Sequence, residues 1–285
     1  SSDVCSSDLG SGTMTIKAAA KESTKELSCI AETTISLGYF INDLAKLQAI
    51  SSHLTERCIV TNDIDASSLN ASISGFTGEF DGGYHTISGL TVPLFDNLNG
   101  GTVKNVVFDG VNISGSSHVG AVTNVASGST RIYNCGVLSG SVTSTGGSAG
   151  GLVGQIAAGS SVRVVNCYNY ATISGSDYAA GIVGKNEGTV GNVRIALCMM
   201  YGDMTTGTNR SPVYGGNHTS NVKNYTEYNF WRSKANLTYT AYNDQLAIDK
   251  DDYLTRFPFY RHILNTHREL AAFFLFGTTD GSVSD

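Results

Sequence analysis

The sequence predicts an all-β protein, a right-handed parallel β-helix with an N-terminal capping helix and a C-terminal helical segment. Three consecutive stretches begin at Val119, Gly150 and Ala180, and each contains a glycine-rich opening, a short apolar pair, a turn, a strand-like run and a cysteine. Their glycines are 31 and 30 residues apart, and their cysteines are 32 and 31 residues apart (Gly120, Gly151 and Gly181; Cys135, Cys167 and Cys198). A period of about 30 residues built from short strands indicates that each copy forms one coil of a solenoid.

The predicted array covers residues 76–240, where short β-branched runs alternate with Gly, Ser, Asn or Asp and no helical period appears. Degenerate copies of the repeat begin at Pro93 and Val213. Equivalent residues of stacked coils lie about 4.8 Å apart and form ladders. The repeat cysteines are therefore expected to form one column of thiols. We interpret them as small buried hydrophobes rather than as a redox or metal site, because no CxxC pair accompanies them.

The N-terminal residues 1–9, SSDVCSSDL, differ in texture from the rest of the chain and resemble the translated end of a sequencing adapter. They contain neither the positive start nor the apolar run of a secretory signal. We therefore expect them to be an artefact on a metagenomic fragment whose reading frame is clipped. Residues 10–35 are left unassigned, although the segment IKAAAKESTKEL within them has a helical composition.

Residues 36–75 are predicted to form a helical cap and the strand that leads into the array. Apolar residues recur near helical spacing, with Asn42 as the expected N-cap (Phe40, Leu44, Leu47, Ile50 and Leu54). Such a helix could cover the open end of the solenoid, whose unpaired edge would otherwise template aggregation. Asp63 and Asp65 follow on a strand. Paired carboxylates could serve acid–base chemistry or bind calcium, and a purely structural role is the competing interpretation.

The repeat carries a resemblance to a known family. GGLVGQ at residues 150–155, AGIVGK at residues 180–185 and NCYN at residues 166–169 resemble the GLUG motif of bacterial surface proteins. The flanking segments are similar to those around such arrays in exported proteins of Bacteroides-like bacteria. The resemblance covers about residues 36–277 and implies secretion or display at the extracellular or outer-membrane surface. Leu197 departs from the pattern, because it stands where the other copies have an Asn before the cysteine.

The last segment, residues 241–285, is predicted to be helical and truncated. After Pro258, apolar residues recur at helical spacing (Phe259, Ile263, Leu270 and Phe274). His262 and His267 are five residues apart, which places them on different helix faces and does not match the HExxH spacing of zinc sites. No metal or cofactor is expected in the chain.

Composition excludes several functional classes. The 285-residue chain has a formal net charge of −6, and setting aside Asp3 and Asp8 leaves 22 acidic against 18 basic residues, a net charge of −4. This weak acidic balance gives no reason to expect a nucleic-acid partner. No apolar run approaches the roughly 18 residues of a membrane span. The glycines around Lys185 lack the Ser or Thr that follows the lysine of a phosphate-binding loop.

Carboxylates are missing from the middle of the array: the chain contains no Asp or Glu between Asp109 and Asp177. Glycosidases generally need two carboxylates roughly 5–10 Å apart, so the central coils do not favour such a site. The sequence therefore predicts a non-catalytic module, secreted or at the cell surface, with an adhesin-like binding or display role. A polysaccharide lyase or glycosidase of β-helix type is the alternative, and a structural spacer is the third possibility.

One feature suggests a ligand. Five basic residues, each after a Val or Thr, follow one another at intervals of 27, 32, 31 and 29 residues (Lys104, Arg131, Arg163, Arg194 and Lys223). If they lie in register, they form a basic column suited to an anionic polysaccharide or a host surface glycan. The competing interpretation is that solvent-facing strand positions simply favour long polar side chains.

Overall fold

The computed structural model confirms the predicted all-β parallel β-helix. The structure describes the backbone of residues 13–18, 31–36, 38–188, 192–216, 225–227, 229–232 and 245–248, and the side chains of residues 38–188, 192–216 and 229. The predicted C-terminal helix and Cys29 lie outside the described residues. Among these residues, no helix has the length and apolar character needed to cross a membrane.

Two short helices interrupt the strands near the N-terminus. This part contains β1 (Thr13–Ala18), β2 (Ala31–Ser36), β3 (Tyr39–Ile41), α1 (Leu44–Gln48), a 3₁₀ helix (Ala49–Ser52), β4 (Arg57–Val60), β5 (Ile64–Asp65), β6 (Glu79–Asp81) and β7 (Thr86–Ser88). The next part contains β8 (Phe95–Asn99), β9 (Thr102–Asp109), β10 (Val111–Gly115), β11 (Thr123–Ser127), β12 (Arg131–Val137), β13 (Gly140–Ser144), β14 (Ala149–Gly150) and β15 (Val153–Ile156).

The array continues through shorter strands. These are β16 (Arg163–Val165), β17 (Tyr168–Asn169), β18 (Thr172–Ser174), β19 (Tyr178–Ala180), β20 (Val183–Asn186), β21 (Arg194–Ala196), β22 (Met199–Met200), β23 (Met204–Thr206), β24 (Asn209–Ser211), β25 (Tyr225–Glu227), β26 (Asn229–Arg232) and β27 (Gln245–Ile248).

The three coils that begin at β11, β15 and β20 each pass through four parallel sheets. In one coil the chain runs from β11 through β12 and β13 to β14, and β15 then pairs with β11 to begin the next coil. The largest sheet runs from β27 at one end to β3 at the other, and β12, β16, β17, β21 and β22 all belong to it. We call it the long sheet. Parallel strands need such crossovers, and here the other faces of the solenoid supply them.

The interior is filled by ladders of apolar side chains from successive coils. Val103, Ile132, Val164 and Ile195 pair in register on the long sheet, and all four are fully buried. The predicted thiol column is also present, because Cys135, Cys167 and Cys198 are fully buried and directly precede Gly136, Tyr168 and Met199, which pair in register on successive coils. Burial raises the pKa of Cys167 and Cys198 well above the ordinary thiol value. A neutral thiol in this setting acts as a small hydrophobe.

The N-terminal helix is shorter than predicted. Phe40 lies in β3 and pairs with Ile59, so the helix begins only at Leu44. Its N-cap is Asp43 rather than Asn42, because the Asp43 carboxylate accepts a hydrogen bond from the Lys46 backbone N–H at 2.7 Å. The carboxylate satisfies one of the free N–H groups of the first turn.

The cap combines this helix with an edge strand. β3 is the terminal strand of the long sheet, and α1 with the following 3₁₀ helix forms the crossover to β4. Leu47 and Ile50 are the fully buried residues of these two helices. Residues 10–35, left unassigned from the sequence, include two strands: β1 pairs with β2 in an antiparallel ladder from Thr13 opposite Ser36 to Ala18 opposite Ala31.

A ladder of asparagines forms one corner of the solenoid. Asn105, Asn134 and Asn166 all have left-handed backbones, with φ of 55°, 52° and 55°, a region that Asn tolerates better than most residues. Asn105 Nδ2 donates to Asp81 Oδ1 at 3.0 Å, Asn134 Nδ2 to Asn105 Oδ1 at 3.0 Å, and Asn166 Nδ2 to Asn134 Oδ1 at 2.7 Å. The next corner residue is Leu197, which has a φ of 55° and no amide to donate. The buried Asn166 Oδ1 is left without a hydrogen-bond partner.

Candidate ligand-binding face

Three of the predicted basic residues form a column on the long sheet. Arg131 pairs with Arg163, and Arg163 pairs with Arg194, in parallel register. All three are exposed, while the residues that follow them in each strand are buried. The rise per coil places neighbouring arginines about 4.8 Å apart at the backbone. We call these three residues the arginine column.

Lys104 is not a member of this column, contrary to the prediction. The strand partner of Arg131 is Thr102, and Lys104 pairs with Tyr133, two residues further along the strand. The prediction matched Lys104 by the Val before it, whereas the register follows the core: Val106 occupies the position of Cys135, and counting back four residues from Val106 gives Thr102. A shift of two residues keeps Lys104 on the same face of the sheet but in another column.

Lys223, the fifth predicted member, lies outside the described residues. The strand residue opposite Arg194 is Tyr225. As at the other end, the column position in the neighbouring coil is therefore not occupied by the predicted lysine. The structure thus assigns three basic residues to this register position in three successive coils.

On the same face, the basic side chains of the first coils form ion pairs with carboxylates. Glu79 Oε1 lies 3.0 Å from Arg57 Nε and 3.1 Å from Lys104 Nζ. Asp81 Oδ2 lies 3.5 Å from Arg57 Nη2 and 3.4 Å from Lys104 Nζ. Two carboxylates thus compensate two cations where the solenoid begins.

The pKa shifts in this cluster follow from its contacts. Burial by itself would raise the pKa of Asp81, but hydrogen bonds from Asn105 and from the Gly83 backbone N–H, together with the charge of Lys104, lower it overall. Burial likewise opposes the charge of Lys104, while Glu79 and Asp81 raise its pKa overall. Both groups are therefore held in their charged forms, and Lys104 is engaged by the protein itself.

Arg131 and Arg163 lack this compensation. Within the described residues, neither Arg131 nor Arg163 forms an ion pair with an Asp or Glu. The reason lies in the sequence, since no carboxylate occurs between Asp109 and Asp177. Like charges at adjacent register positions destabilise a sheet unless something offsets them. An anion bound along the column would supply that offset.

Sequence reasoning missed a second column, whose members stand directly after the ends of three strands of the long sheet. Leu138, Tyr170 and Tyr201 directly follow Val137, Asn169 and Met200, which pair in register. The ring centroids of Tyr170 and Tyr201 are 5.1 Å apart, and those of Tyr168 and Tyr170 are 5.7 Å apart. The repeat could have revealed this column, because its members stand three positions after the three ladder cysteines.

Another polar cluster lies on the sheet that contains β15 and β20. Lys185, noted in the sequence for its glycine-rich surroundings, forms an ion pair of 2.7 Å with Glu187, which also accepts a hydrogen bond of 2.6 Å from Gln155 Nε2. Nearby, His118 Nδ1 is 2.8 Å from Ser148 Oγ. Ser148 is fully buried, so its hydroxyl is not available to a substrate. Burial and the charge of Lys185 lower the pKa of His118.

The paired aspartates of the first coils have structural contacts. Asp63 Oδ1 accepts a hydrogen bond of 2.8 Å from the Thr86 backbone N–H, and Asp65 Oδ1 accepts one of 2.9 Å from the Ser67 backbone N–H. These bonds tie the ends of short strands to the next turn. Over the described part of the chain, no group of three or more His, Cys, Asp or Glu residues is placed to hold a metal ion.

Parts of the chain are similar in sequence to bacterial immunoglobulin A1 proteases. Residues 44–139 match the family model of the M26 IgA1-specific metallo-endopeptidase N-terminal region. An immunoglobulin A1 protease from Streptococcus sanguinis is 36% identical over 108 residues, 33% of this chain and 6% of the relative. One from Streptococcus pneumoniae is 29% identical over 202 residues, 67% of this chain and 10% of the relative. The chain therefore spans a small part of these relatives.

Two further matches extend the comparison. Halomucin from Haloquadratum walsbyi is 32% identical over 146 residues, 41% of this chain and 2% of the relative. A crystal structure provisionally named as an immunoglobulin A1 protease from Bacteroides ovatus matches with a TM-score of 0.54 at 17% identity, over 75% of this chain and 85% of that one. At this identity the structural likeness speaks for the solenoid fold alone.

Proposed function

We propose that this chain is a non-catalytic, adhesin-like binding module of a secreted or cell-surface bacterial protein, and that the arginine column binds anionic glycans. The observation that carries the proposal is the register of Arg131, Arg163 and Arg194 on three successive coils, two of them without an ion pair in the described part of the protein. Arg57 and Lys104 on the same face have the carboxylate partners that Arg131 and Arg163 lack.

The chemistry of arginine suits this ligand class. A guanidinium group presents a planar set of N–H donors that matches sulfate and carboxylate groups in a bidentate manner. Repeated cations at about 4.8 Å face a ligand whose negative charges also repeat along a chain. Most of the interaction would be electrostatic and exposed, so binding should weaken strongly as salt is added.

The location outside the cell rests on the resemblances. The GLUG-like repeat is typical of bacterial surface proteins, and the relatives are named immunoglobulin A1 protease and halomucin. Immunoglobulin A1 is an extracellular substrate, which supports an extracellular setting for this array.

A second candidate function follows from the match to a protease N-terminal region. In this second function, the array would be a non-catalytic region of a longer protease and would bind the protein substrate. Binding of the isolated chain to immunoglobulin A1 in a pull-down would favour this function. A β-helix lyase or glycosidase remains the enzymatic alternative, and release of reducing or unsaturated ends from polyuronates would support it.

The arginine column is tested with charged and neutral polymers. Affinity electrophoresis or calorimetry with dextran sulfate and polygalacturonate should show salt-sensitive binding by the parent, and dextran serves as the neutral control. The variant Arg131→Gln/Arg163→Gln/Arg194→Gln should lose this binding while its thermal unfolding remains cooperative. Arg57 lies at the same register position several coils earlier, because it pairs with Glu79, which pairs with Thr102, the strand partner of Arg131. Arg57→Gln makes the same chemical change at this ion-paired position, and the variant should bind like the parent. Equal binding by the triple variant, or no salt-sensitive binding by the parent, would refute the role of the column.

A further inference from the structure

Among the side chains that the structure describes, the large apolar ones that are exposed are concentrated in one place. The described side chains include four large hydrophobic ones that are exposed, and three of them form the column of Leu138 at 36%, Tyr170 at 40% and Tyr201 at 36%. The fourth, Tyr84, lies elsewhere in the chain. Scattered exposed hydrophobic residues are normal, but three in register on successive coils form a continuous strip of the kind that marks a binding surface.

The rings of this strip are held in place by the fold. Tyr170 and Tyr201 lie at an interplanar angle of 35°, and Tyr168 supports Tyr170 edge-on at 81°. Tyr168 itself lies over Gly136, where an added Cβ would be 2.1 Å from the ring atom Cζ. Only glycine leaves room for the ring at this point. Tyr168 is also largely buried, and burial raises the pKa of its phenol. The two exposed rings therefore rest on a fixed base.

The strip is followed along the chain by residues rich in hydroxyl groups. Two or three residues after the strip, the chain enters the sheet of β13 and β18, where Ser141 pairs with Thr172 and Thr143 pairs with Ser174. These side chains are partly exposed, while the alternating Val142 and Ile173 are buried. The segments 136–144 and 168–175 contain no charged residue, and carboxylates occur only toward the two ends of the strip: Asp109 follows Phe108, the strand partner of Val137, and Asp203 stands two residues after Tyr201.

We propose that this strip, together with the adjoining hydroxyl columns, binds an uncharged linear polysaccharide. A pyranose ring has an apolar face that stacks on an aromatic ring and an edge of hydroxyl groups that hydrogen-bonds to Ser and Thr side chains. The coil rise of about 4.8 Å is close to the length of one sugar unit, so consecutive sugars can meet equivalent side chains. The site goes beyond the proposed anion-binding function, since it takes a neutral ligand.

The two columns are separate surfaces. In each coil the arginine and the strip residue are seven positions apart, with the left-handed corner residue between them: Asn134, Asn166 or Leu197. The corner turns the chain, so side chains that point outward on its two sides diverge. One linear ligand is therefore not expected to contact both columns, and the two sites can be tested independently.

The test uses neutral soluble polysaccharides, namely arabinoxylan, mixed-linkage β-glucan, galactomannan and dextran. Affinity electrophoresis should show retention of the parent by at least one of them, unchanged by added salt. Tyr170→Ala/Tyr201→Ala should weaken this retention about tenfold or more. Tyr84→Ala removes an exposed tyrosine outside the strip and should bind like the parent. The arginine triple variant should also retain neutral polysaccharide, so failure of one site does not decide the other.

A gain-of-function variant guards against misfolding of the double variant. Leu138→Tyr extends the strip by one ring and should raise the affinity several-fold, and Tyr170→Phe/Tyr201→Phe should keep most of it because the stacking faces remain. The proposal is overturned if no neutral polysaccharide retains the parent, or if the tyrosine variants bind equally well. A change of oligomeric state in these variants without a change in retention would also overturn it, since the strip would then be a protein contact.

Discussion

Completing the asparagine ladder should stabilise the solenoid, and Leu197→Asn is the substitution that completes it. At present Leu197 has a φ of 55°, a left-handed conformation that favours Asn and disfavours a leucine side chain. One coil earlier, the buried Asn166 Oδ1 has no hydrogen-bond partner. An amide at position 197 would relieve both defects, because the lower rungs already donate Nδ2 to Oδ1 at 2.7 to 3.0 Å.

The expected gain is about 1–3 kcal/mol. A non-glycine residue held in the left-handed region costs on the order of 1–3 kcal/mol, and the cost is smaller for asparagine than for leucine. A buried acceptor without a donor costs roughly 1–3 kcal/mol. The gain is reduced because Leu197 is partly buried and its apolar contacts are lost. In the Leu197→Asn variant, the unpaired amide oxygen at the end of the ladder belongs to position 197, which is partly exposed, so water can hydrogen-bond to it.

Urea unfolding of three variants separates the two contributions. Leu197→Gly removes the side-chain strain without supplying a donor, so the difference between Leu197→Asn and Leu197→Gly reports the hydrogen bond. In the background Asn166→Ala, the advantage of Asn over Gly at position 197 should shrink, because the acceptor is gone. The reasoning fails if Leu197→Asn is no more stable than Leu197→Gly, or if the advantage survives Asn166→Ala.

Three further outcomes are expected. Asp81→Asn should destabilise the first coils by about 1 kcal/mol at neutral pH. The pKa of Asp81 is lowered in the folded protein, so the ionised carboxylate contributes to the free energy of unfolding above about pH 4 and loses this contribution as the pH falls below that value. The melting temperatures of parent and variant should therefore converge in acid. Gly136→Ala should lower the free energy of unfolding by roughly 1–3 kcal/mol, because the added methyl group displaces the Tyr168 ring. The denaturation midpoint should fall and the near-ultraviolet circular dichroism of tyrosine should change. An unchanged midpoint would contradict this packing. Arg163→Gln should stabilise the protein by about 0.5 kcal/mol at low ionic strength through relief of repulsion, and a gain that persists in high salt would argue against an electrostatic cause.

The sequence predicted the parts of the fold that repeat. The spacing of Cys135, Cys167 and Cys198 placed three coils in register, and from it the positions of the three column arginines followed by counting. Prediction was weaker where the repeat is degenerate: Lys104 was misplaced by two residues because its coil has Val106 instead of a cysteine. The strand register is determined by the alternating buried side chains, whereas an exposed residue such as Lys104 says little about it.

Features that depend on tertiary contacts, such as the start of the helix and the exposed strip, were harder to predict from the sequence. The helical spacing around Leu44 is real, but Phe40 was counted in the helix because an apolar residue before a cap also suits an edge strand. The strip of Leu138, Tyr170 and Tyr201 was missed because its members differ in chemical type and no charge draws attention to them. Strand side chains alternate between core and solvent, so the buried thiol column fixes which later residues face outward.

The corner ladder links the core to both candidate surfaces. A slip of one residue in any coil would exchange inward and outward side chains, bringing an arginine toward the core and a core residue to the surface. The amide hydrogen bonds at Asn134 and Asn166 oppose such a slip, because each Nδ2 meets its acceptor only when neighbouring coils are aligned. Each column therefore depends on the corner that divides it from the other. The ladder of side-chain amides ends at Asn166, so the coil that carries Arg194 and Tyr201 should gain most from an amide at position 197.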